Sequence, residues 1–151
     1  MRIRRQQSGF TILELLVVVI IIGILLTLVF STYAGIRRNQ NNQERQRDVQ
    51  DVYQQLEAYY VENSEYPTLA QMNSPTWVST NMKTLNKASL QDPDSKSYLL
   101  AATPTKNAYA YEVTAINGSA CNDTTIVCAH YSLVATLQGG SQKTFSKSSL
   151  N

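Results

Sequence analysis

The chain has 151 residues, of which 43% are hydrophobic, and a formal net charge of +2. This composition suits one modest globular domain with an appendage, and it excludes a strongly basic nucleic-acid-binding protein. Three of the arginines lie within the first five residues, so the remainder of the chain is close to neutral.

The first predicted element is an apolar helix over residues 10–30, in which Glu14 is the only charged side chain. A helix of that length spans about 30 Å, the thickness of a bilayer's hydrocarbon core. The preceding arginines, Arg2, Arg4 and Arg5, place the N-terminus in the cytoplasm and predict export of the residues beyond the helix. The run is longer than that of an ordinary secretory signal, so we expect the span to be retained.

Glu14 is the unexpected residue of this span, because an ionised side chain is costly inside hydrocarbon. Two interpretations are open. The carboxylate has a partner and a role, or it is a stray group that is protonated and reaches the nearby membrane edge. The residues around it favour the first interpretation.

The basic leader ends at Gly9, Phe10 follows, and Glu14 lies four residues further into "FTILELLVVVIIIGILLTLVF". This pattern closely resembles the type IV prepilin signature. The resemblance implies that a prepilin peptidase cuts after Gly9 and methylates the new amine of Phe10. It also implies that the apolar helix forms a filament core in which Glu14 neutralises the amine of a neighbouring subunit. Many pilins have a helix-kinking proline in this run; here Gly23 is the only weak point, where local melting during assembly is possible.

The helix is predicted to continue outward, because residues 36–63 contain neither glycine nor proline. Its second half carries an apolar stripe at helical spacing, which we interpret as core: Val49, Val52, Tyr53, Leu56, Tyr59 and Tyr60. The polar residues 37–48 are interpreted as a solvated face at the membrane surface, with contact to phospholipid or DNA as the alternative. Pro67 ends the helix.

The remaining residues predict a small head. Residues 68–91 are expected to be a connecting loop with a helical turn, followed by a turn containing Asp92 and Asp94, for which calcium binding is the less favoured alternative. Alternating patterns predict antiparallel strands at residues 97–103, 108–116 and 128–137. Tyr109, Tyr111 and Val113 share one face of the second of these strands, and Tyr131, Leu133, Ala135 and Leu137 share one face of the third. The serine-rich tail is expected to be a short strand or a frayed end.

Cys121 and Cys128 lie close together in the exported part of the chain, which predicts a disulfide. Metal binding and a reactive thiol are the alternatives, although only His130 is near enough to join them. His130 is itself interpreted as a plain strand residue in preference to a catalytic base, since no nucleophile motif accompanies it. No metal or cofactor is predicted.

Together these features predict an α+β, pilin-like fold in which a long N-terminal helix packs on a small antiparallel sheet. The expected organisation is a cleaved leader at residues 1–9, a transmembrane helix at 10–30, an exported amphipathic helix at 31–66 and a head at 67–151. The resemblance implies a structural, non-enzymatic subunit of a type IV pilus-like filament. The first alternative is a pseudopilin for protein secretion or DNA uptake, and an alternative of another class is a monomeric membrane-anchored binding domain.

The resemblance also implies the location and partners of the chain. Before assembly it is a single-pass protein of the cytoplasmic membrane, in contact with lipid and with its head exported. After assembly it belongs to a cell-surface or envelope filament. The implied partners are further copies of the chain, the prepilin peptidase and the pilus or secretion machinery of the inner membrane. No direct binding of nucleic acid is predicted.

Overall fold

A computed structural model describes residues 9–123, 125–139 and 143–150. The predicted leader therefore lies outside the described residues, apart from Gly9. The chain divides into two compact units, one ending at Arg37 and the other beginning at Arg38. The elements are α1 (Ile12–Asn63), α2 (Leu69–Met72), α3 (Pro75–Asn81), a 3-10 helix (Lys87–Leu90), β1 (Ala110–Ala115), β2 (Cys128–Thr136) and β3 (Thr144–Ser148).

The first unit is the apolar part of α1. Its most apolar window of 18 residues has a mean hydropathy of 3.2, and by length and composition α1 is the one helix of the described residues able to cross a membrane. The large apolar side chains from Ile12 to Phe30 are 44–86% exposed. The hydroxyl of Thr27 donates to the carbonyl oxygen of Ile24 at 2.7 Å, so this polar group is satisfied within the helix. The unit is thus an apolar surface that the rest of the described chain does not cover.

The second unit contains an antiparallel sheet in the order β1-β2-β3. Tyr111 pairs with Leu133 and Val113 pairs with Tyr131, so matching faces of β1 and β2 lie side by side. These side chains are buried, as is the α1 stripe at Val49, Val52 and Leu56, and all belong to one hydrophobic core. The predicted α+β arrangement of a long helix packed on a small antiparallel sheet is confirmed. The predicted apolar faces of β1 and β2 are confirmed too, except that Tyr109 lies one residue before β1 and Leu137 one residue after β2.

Tyrosines join the sheet to the helix through both their rings and their hydroxyls. The Tyr131 hydroxyl donates to Oε1 of Glu57 on α1 at 2.8 Å, and the Tyr109 hydroxyl donates to Oδ2 of Asp48 at 2.6 Å. The Tyr111 hydroxyl donates to the carbonyl oxygen of Pro67 at 2.8 Å. A buried tyrosine hydroxyl usually needs a hydrogen-bond partner. The contacts of Tyr131 and Tyr109 hold this part of the core against α1, and that of Tyr111 holds the segment that follows α1.

The strand predicted at residues 97–103 is wrong. Within that segment only Ala101 forms a β-bridge, to Ala110. At the neighbouring residue, Leu100, the side chain of Asn73 binds both backbone groups. The Leu100 N–H donates to Asn73 Oδ1 at 2.7 Å, and Asn73 Nδ2 donates to the Leu100 carbonyl oxygen at 3.0 Å. Because these backbone groups are already paired, they are not available to a ladder. The third strand of the sheet is instead β3, in the serine-rich tail, where a strand was one of two expectations.

The loop predicted at residues 68–91 contains more helix than expected, and side-chain caps explain why. Thr68 and Gln71 form a capping box at the start of α2. Ser74 caps α3, whose first residue is Pro75, and Asn86 caps the 3-10 helix. A capped first turn satisfies backbone donors that a short helix otherwise leaves unpaired.

The interpretation of residues 37–48 as a fully solvated face is wrong at Arg45, which is 0% exposed. Its guanidinium binds both oxygens of Asp92, with Nε to Oδ2 at 2.7 Å and Nη2 to Oδ1 at 2.9 Å. Nη2 also donates to Oδ2 of Asp94 at 2.8 Å. Asp92 and Asp94 therefore form a turn held by a cation of the chain itself, and the contact with Arg45 lowers the pKa of Asp94. Arg45 joins α1 to this turn.

Asp48 is the second buried charge on this part of α1. Burial raises its pKa from 3.8 to about 6, against the lowering effect of the Tyr109 hydrogen bond, and the nearby carboxylates of Glu44 and Asp51 raise it further. Folding therefore makes ionisation of Asp48 less favourable than it is in the unfolded chain.

We predict that Arg45→Met destabilises the head by about 3–5 kcal/mol, because it leaves the carboxylate of Asp92 buried without its partner. Arg47→Met is the matched control, since Arg47 is an exposed arginine two residues away and should change stability by less than about 0.5 kcal/mol. Denaturant unfolding of the detergent-solubilised chain measures both variants. Equal unfolding midpoints for the two would contradict the buried pair.

We predict that Asp48→Asn removes a pH dependence of stability. Because the folded chain binds the Asp48 proton more tightly than the unfolded chain, the free energy of unfolding is greatest below pH 3.8 and falls as the pH rises to about 6. The loss should be roughly 1–2 kcal/mol, since some solvent still reaches the carboxylate. Unfolding midpoints measured from pH 4 to pH 7 should show a steeper decline for the wild type than for Asp48→Asn, and parallel curves would count against this assignment.

Candidate assembly site

The predicted cleavage junction lies immediately before α1. Gly9 and Phe10 are not helical, and both are exposed, Phe10 by 80%. Thr11 follows as the residue that precedes the helix, which begins at Ile12. The bond between Gly9 and Phe10 is therefore outside the regular hydrogen bonding of the helix.

Glu14 is the third residue of α1, and its carboxylate contacts Thr11. Oε2 of Glu14 accepts hydrogen bonds from the backbone N–H and from the hydroxyl of Thr11, both at 2.9 Å. In return, the N–H of Glu14 donates to the Thr11 hydroxyl oxygen at 3.2 Å. This is a capping box, in which two side chains satisfy backbone donors at a helix N-terminus. The intramolecular partner of Glu14 in this chain is thus Thr11, a residue that the sequence interpretation did not single out.

A signal for Thr11 was present in the sequence. Threonine followed three positions later by glutamate, directly before an apolar run, is the pattern of a capping box. The predicted contact between Glu14 and the amine of a processed Phe10 stays a prediction, because Phe10 is joined to Gly9 in the chain described here.

The carboxylate remains able to bind a second partner. Both hydrogen bonds from Thr11 reach Oε2, and Oε1 accepts none from the residues that the structure describes. Thr11 fixes the orientation of the group, and the helix N-terminus favours its negative charge. Glu14 is consequently a preoriented anion at the end of an uncovered apolar helix, suited to pairing with a cation supplied from outside this chain.

The two cysteines form the predicted disulfide. Cys121 and Cys128 are bonded, with 5.7 Å between their Cα atoms, and both residues are buried. The bond closes the loop between β1 and β2, and the Cys128 carbonyl oxygen accepts a hydrogen bond from the N–H of Tyr66 at 2.9 Å. Both sulfurs are used, so the metal-binding and reactive-thiol alternatives do not apply to them. His130 lies on β2 opposite Thr114, as expected for a strand residue.

Comparison with known proteins identifies the N-terminal pattern independently. The family model described as the prokaryotic N-terminal methylation motif matches residues 4–30, which include Gly9, Phe10 and Glu14. No solved structure matches the chain.

Several curated relatives have the name type II secretion system core protein G. The protein from Aeromonas hydrophila is 37% identical over 78 residues, covering 48% of this chain and 54% of that protein. The protein from Dickeya chrysanthemi is 39% identical over 67 residues, covering 44% of each, and that from Klebsiella pneumoniae is 32% identical over 97 residues, covering 62% of this chain and 61% of that protein. The chain thus spans about half the length of the curated relatives it matches. These names favour the secretion alternative over the pilus subunit that the sequence interpretation placed first.

We predict that Thr11→Ala frays the first turn of α1, whereas Thr11→Ser preserves it, because serine retains the hydroxyl. Loss of a cap is worth about 1 kcal/mol, so hydrogen exchange at the Glu14 amide should accelerate about fivefold in detergent. Thr27→Ala is the control, since Thr27 bonds only within the helix interior. Unchanged exchange at Glu14 in Thr11→Ala would show that the capping box contributes no protection.

Proposed function

Because the matched motif and the relatives support the type IV pilin and pseudopilin family for this chain, we propose that it is a pseudopilin. In this role it is a structural, non-enzymatic subunit that polymerises into a short envelope filament serving type II secretion. The observation that carries the proposal is the similarity to core protein G of several organisms. The methylation motif at residues 4–30 supports the same assignment.

The uncovered half of α1 gives the proposal its physical basis. Apolar side chains that are exposed from Ile12 to Phe30 need lipid around them before assembly and other copies of the helix afterwards. Lipid tails are as apolar as leucine, so moving the helix from lipid into a filament core yields little hydrophobic free energy. A specific polar pair is then the interaction that distinguishes one register of neighbouring helices from another.

Processing would create the missing half of that pair. Cleavage after Gly9 removes Arg2, Arg4 and Arg5 and leaves a cationic amine on Phe10. In an apolar filament core this amine requires a carboxylate, and Glu14 of an adjacent copy has Oε1 available within the described contacts. The proposed partners are therefore a prepilin peptidase, further copies of the chain and the secretion machinery of the inner membrane.

The location follows from the same arrangement. The apolar helix would anchor the subunit in the cytoplasmic membrane, with the head in the periplasm, where the disulfide between Cys121 and Cys128 is stable. No cofactor and no nucleic acid enter this function.

A clean gene deletion tests the proposal against the pilus and anchored-monomer alternatives. We expect the deletion strain to lose protein secretion into the medium and to keep its surface filaments. A plasmid copy of the wild-type gene should restore secretion. Loss of surface filaments with normal secretion would favour the pilus subunit, and no change in either would favour a monomeric binding domain.

We predict that processing removes residues 1–9. Intact-mass measurement of the chain from envelope fractions should give a species that begins at methylated Phe10. Gly9→Val should retain the leader, because a branched side chain replaces hydrogen at the cleaved bond, while Gly35→Ala, a change on α1 well beyond the junction, should be processed normally. An uncut wild-type N-terminus would contradict the proposal.

We predict that Glu14→Ala permits membrane insertion and cleavage but prevents efficient assembly. Removing the carboxylate makes the span more apolar, so a defect cannot arise from poor insertion. Glu14→Gln separates the two roles of the residue, since glutamine retains the capping box but not the charge. If pairing with the Phe10 amine drives assembly, both variants fail. If helix capping alone matters, Glu14→Gln assembles normally.

The readout is the number of sheared filaments from cells that overproduce wild type, Glu14→Ala or Glu14→Gln to equal membrane levels. Wild-type numbers from both variants would overturn the assembly role of Glu14.

A further inference from the structure

One end of the sheet carries an exposed apolar tip, defined here as Ile116, Ile126 and Val127. Their exposed fractions are 85%, 40% and 61%. Ala115 of β1 pairs with Cys128 of β2, so Ile116 and Val127 are the next residues outward on the two chains. The disulfide holds this end together, which keeps the apolar side chains on a fixed support rather than on a loose loop.

The head also contains an apolar groove of about 430 Å³. Its walls come from α2, α3, the 3-10 helix and the segment before β1, and include Met72, Val78, Leu90 and Leu99. Lys87 lies at this groove and is exposed. Leu99 is 59% exposed despite its apolar side chain. A concave apolar surface of this size with a cation at its edge suits an apolar side chain that has a negative charge beside it.

The tip bears such a charge. Asp123 lies in the loop that the disulfide closes, and its carbonyl oxygen accepts a hydrogen bond from the Ile126 N–H at 3.3 Å. Its carboxylate is exposed, and neither Asp123 nor Lys87 forms an ion pair with another described residue. The tip and the groove are thus both apolar, and they carry opposite charges.

The tip and the groove lie at opposite ends of β1. Leu100, beside groove residue Leu99, is bound by Asn73, and Ala101 bridges to Ala110 at the start of β1. Ile116 follows the end of β1. Six residues of strand separate the two surfaces by about 17 Å, so the tip of one chain does not reach its own groove. A contact between them has to join two copies.

We propose that the tip of one copy docks into the groove of the next, an inference that rests on the proposed polymeric function. Because two different surfaces of the same chain meet, the interface is heterologous and repeats without closing, as an open filament requires. Asp123 faces Lys87 across the rim of this contact. The head thereby adds a second repeating contact to the one made by the apolar helices.

Cysteine crosslinking in assembled full-length chains tests the contact. Cells would co-express Leu99→Cys and Ile116→Cys chains, and sheared filaments would be treated with a short bis-maleimide. We expect a crosslinked dimer for this pair. We expect none for the control pair Leu99→Cys with Glu112→Cys, because Glu112 is exposed at the middle of β1, away from the tip. Filaments without the expected dimer would overturn the docking inference and leave the proposed function intact. Absence of filaments even from cells that overproduce the wild-type chain would overturn both.

Exchanging the two charges tests the proposed contact between Lys87 and Asp123 at the rim of the groove. Lys87→Glu and Asp123→Lys should each lower the crosslink yield about two- to fivefold, as expected for an exposed pair, and the double variant should restore it. Asp123→Asn removes the charge but keeps an acceptor for the Thr125 N–H, so a lower crosslink yield from this variant is not due to loss of that hydrogen bond. Lys83→Glu, in the neighbouring polar cleft, is the control and should have no effect. A double variant as weak as the singles would contradict the assigned pair.

Discussion

The structure depends on one constraint: the first half of its long helix is apolar, and the described part of the chain leaves it exposed. From Ile12 to Phe30 the large side chains are half exposed or more in nearly every case, whereas Val49, Val52 and Leu56 on the same helix are buried against the sheet. One continuous helix, Ile12–Asn63, therefore has two kinds of environment. The covered part belongs to a folded head, and the uncovered part requires lipid or other copies of itself. The membrane anchoring and polymerisation that we propose would each meet that requirement.

The head is attached to the covered part of α1 through polar contacts as well as through its core. Arg45 binds the turn at Asp92 and Asp94, while Asp48 and Glu57 accept hydrogen bonds from tyrosines of the sheet. A buried ion pair adds little net stability, but removing one partner is costly. Such contacts specify one position of the sheet on the helix. A subunit that repeats many times in a filament benefits from a head that each copy holds in the same way.

Much of this fold could be predicted because it depends on the spacing of apolar side chains and on the length of each segment. The span, the stripe from Val49 to Tyr60 and the faces of β1 and β2 follow from side-chain spacing. The disulfide follows from two neighbouring cysteines in a part of the chain that is predicted to be exported. Contacts between distant residues were not predictable in this way. In the sequence, Arg45 has the pattern of a surface arginine, because its partner Asp92 is distant along the chain. Residues 97–103 have the pattern of a strand, but Asn73, also distant in sequence, binds the backbone of Leu100. Thr11 is different, since it pairs with Glu14 only three residues away, and the sequence itself contains the pattern of a capping box.

The measurement that tests this account most directly is helical reconstruction by electron microscopy of filaments sheared from cells that overproduce the chain. The account predicts a solid central bundle formed by residues 12–30 of many copies, with the heads outside. Within the bundle, the N-terminus of each Phe10 should lie next to a Glu14 carboxylate of an adjacent copy. Recovery of the overproduced, fully processed chain only as a membrane-bound monomer would contradict it.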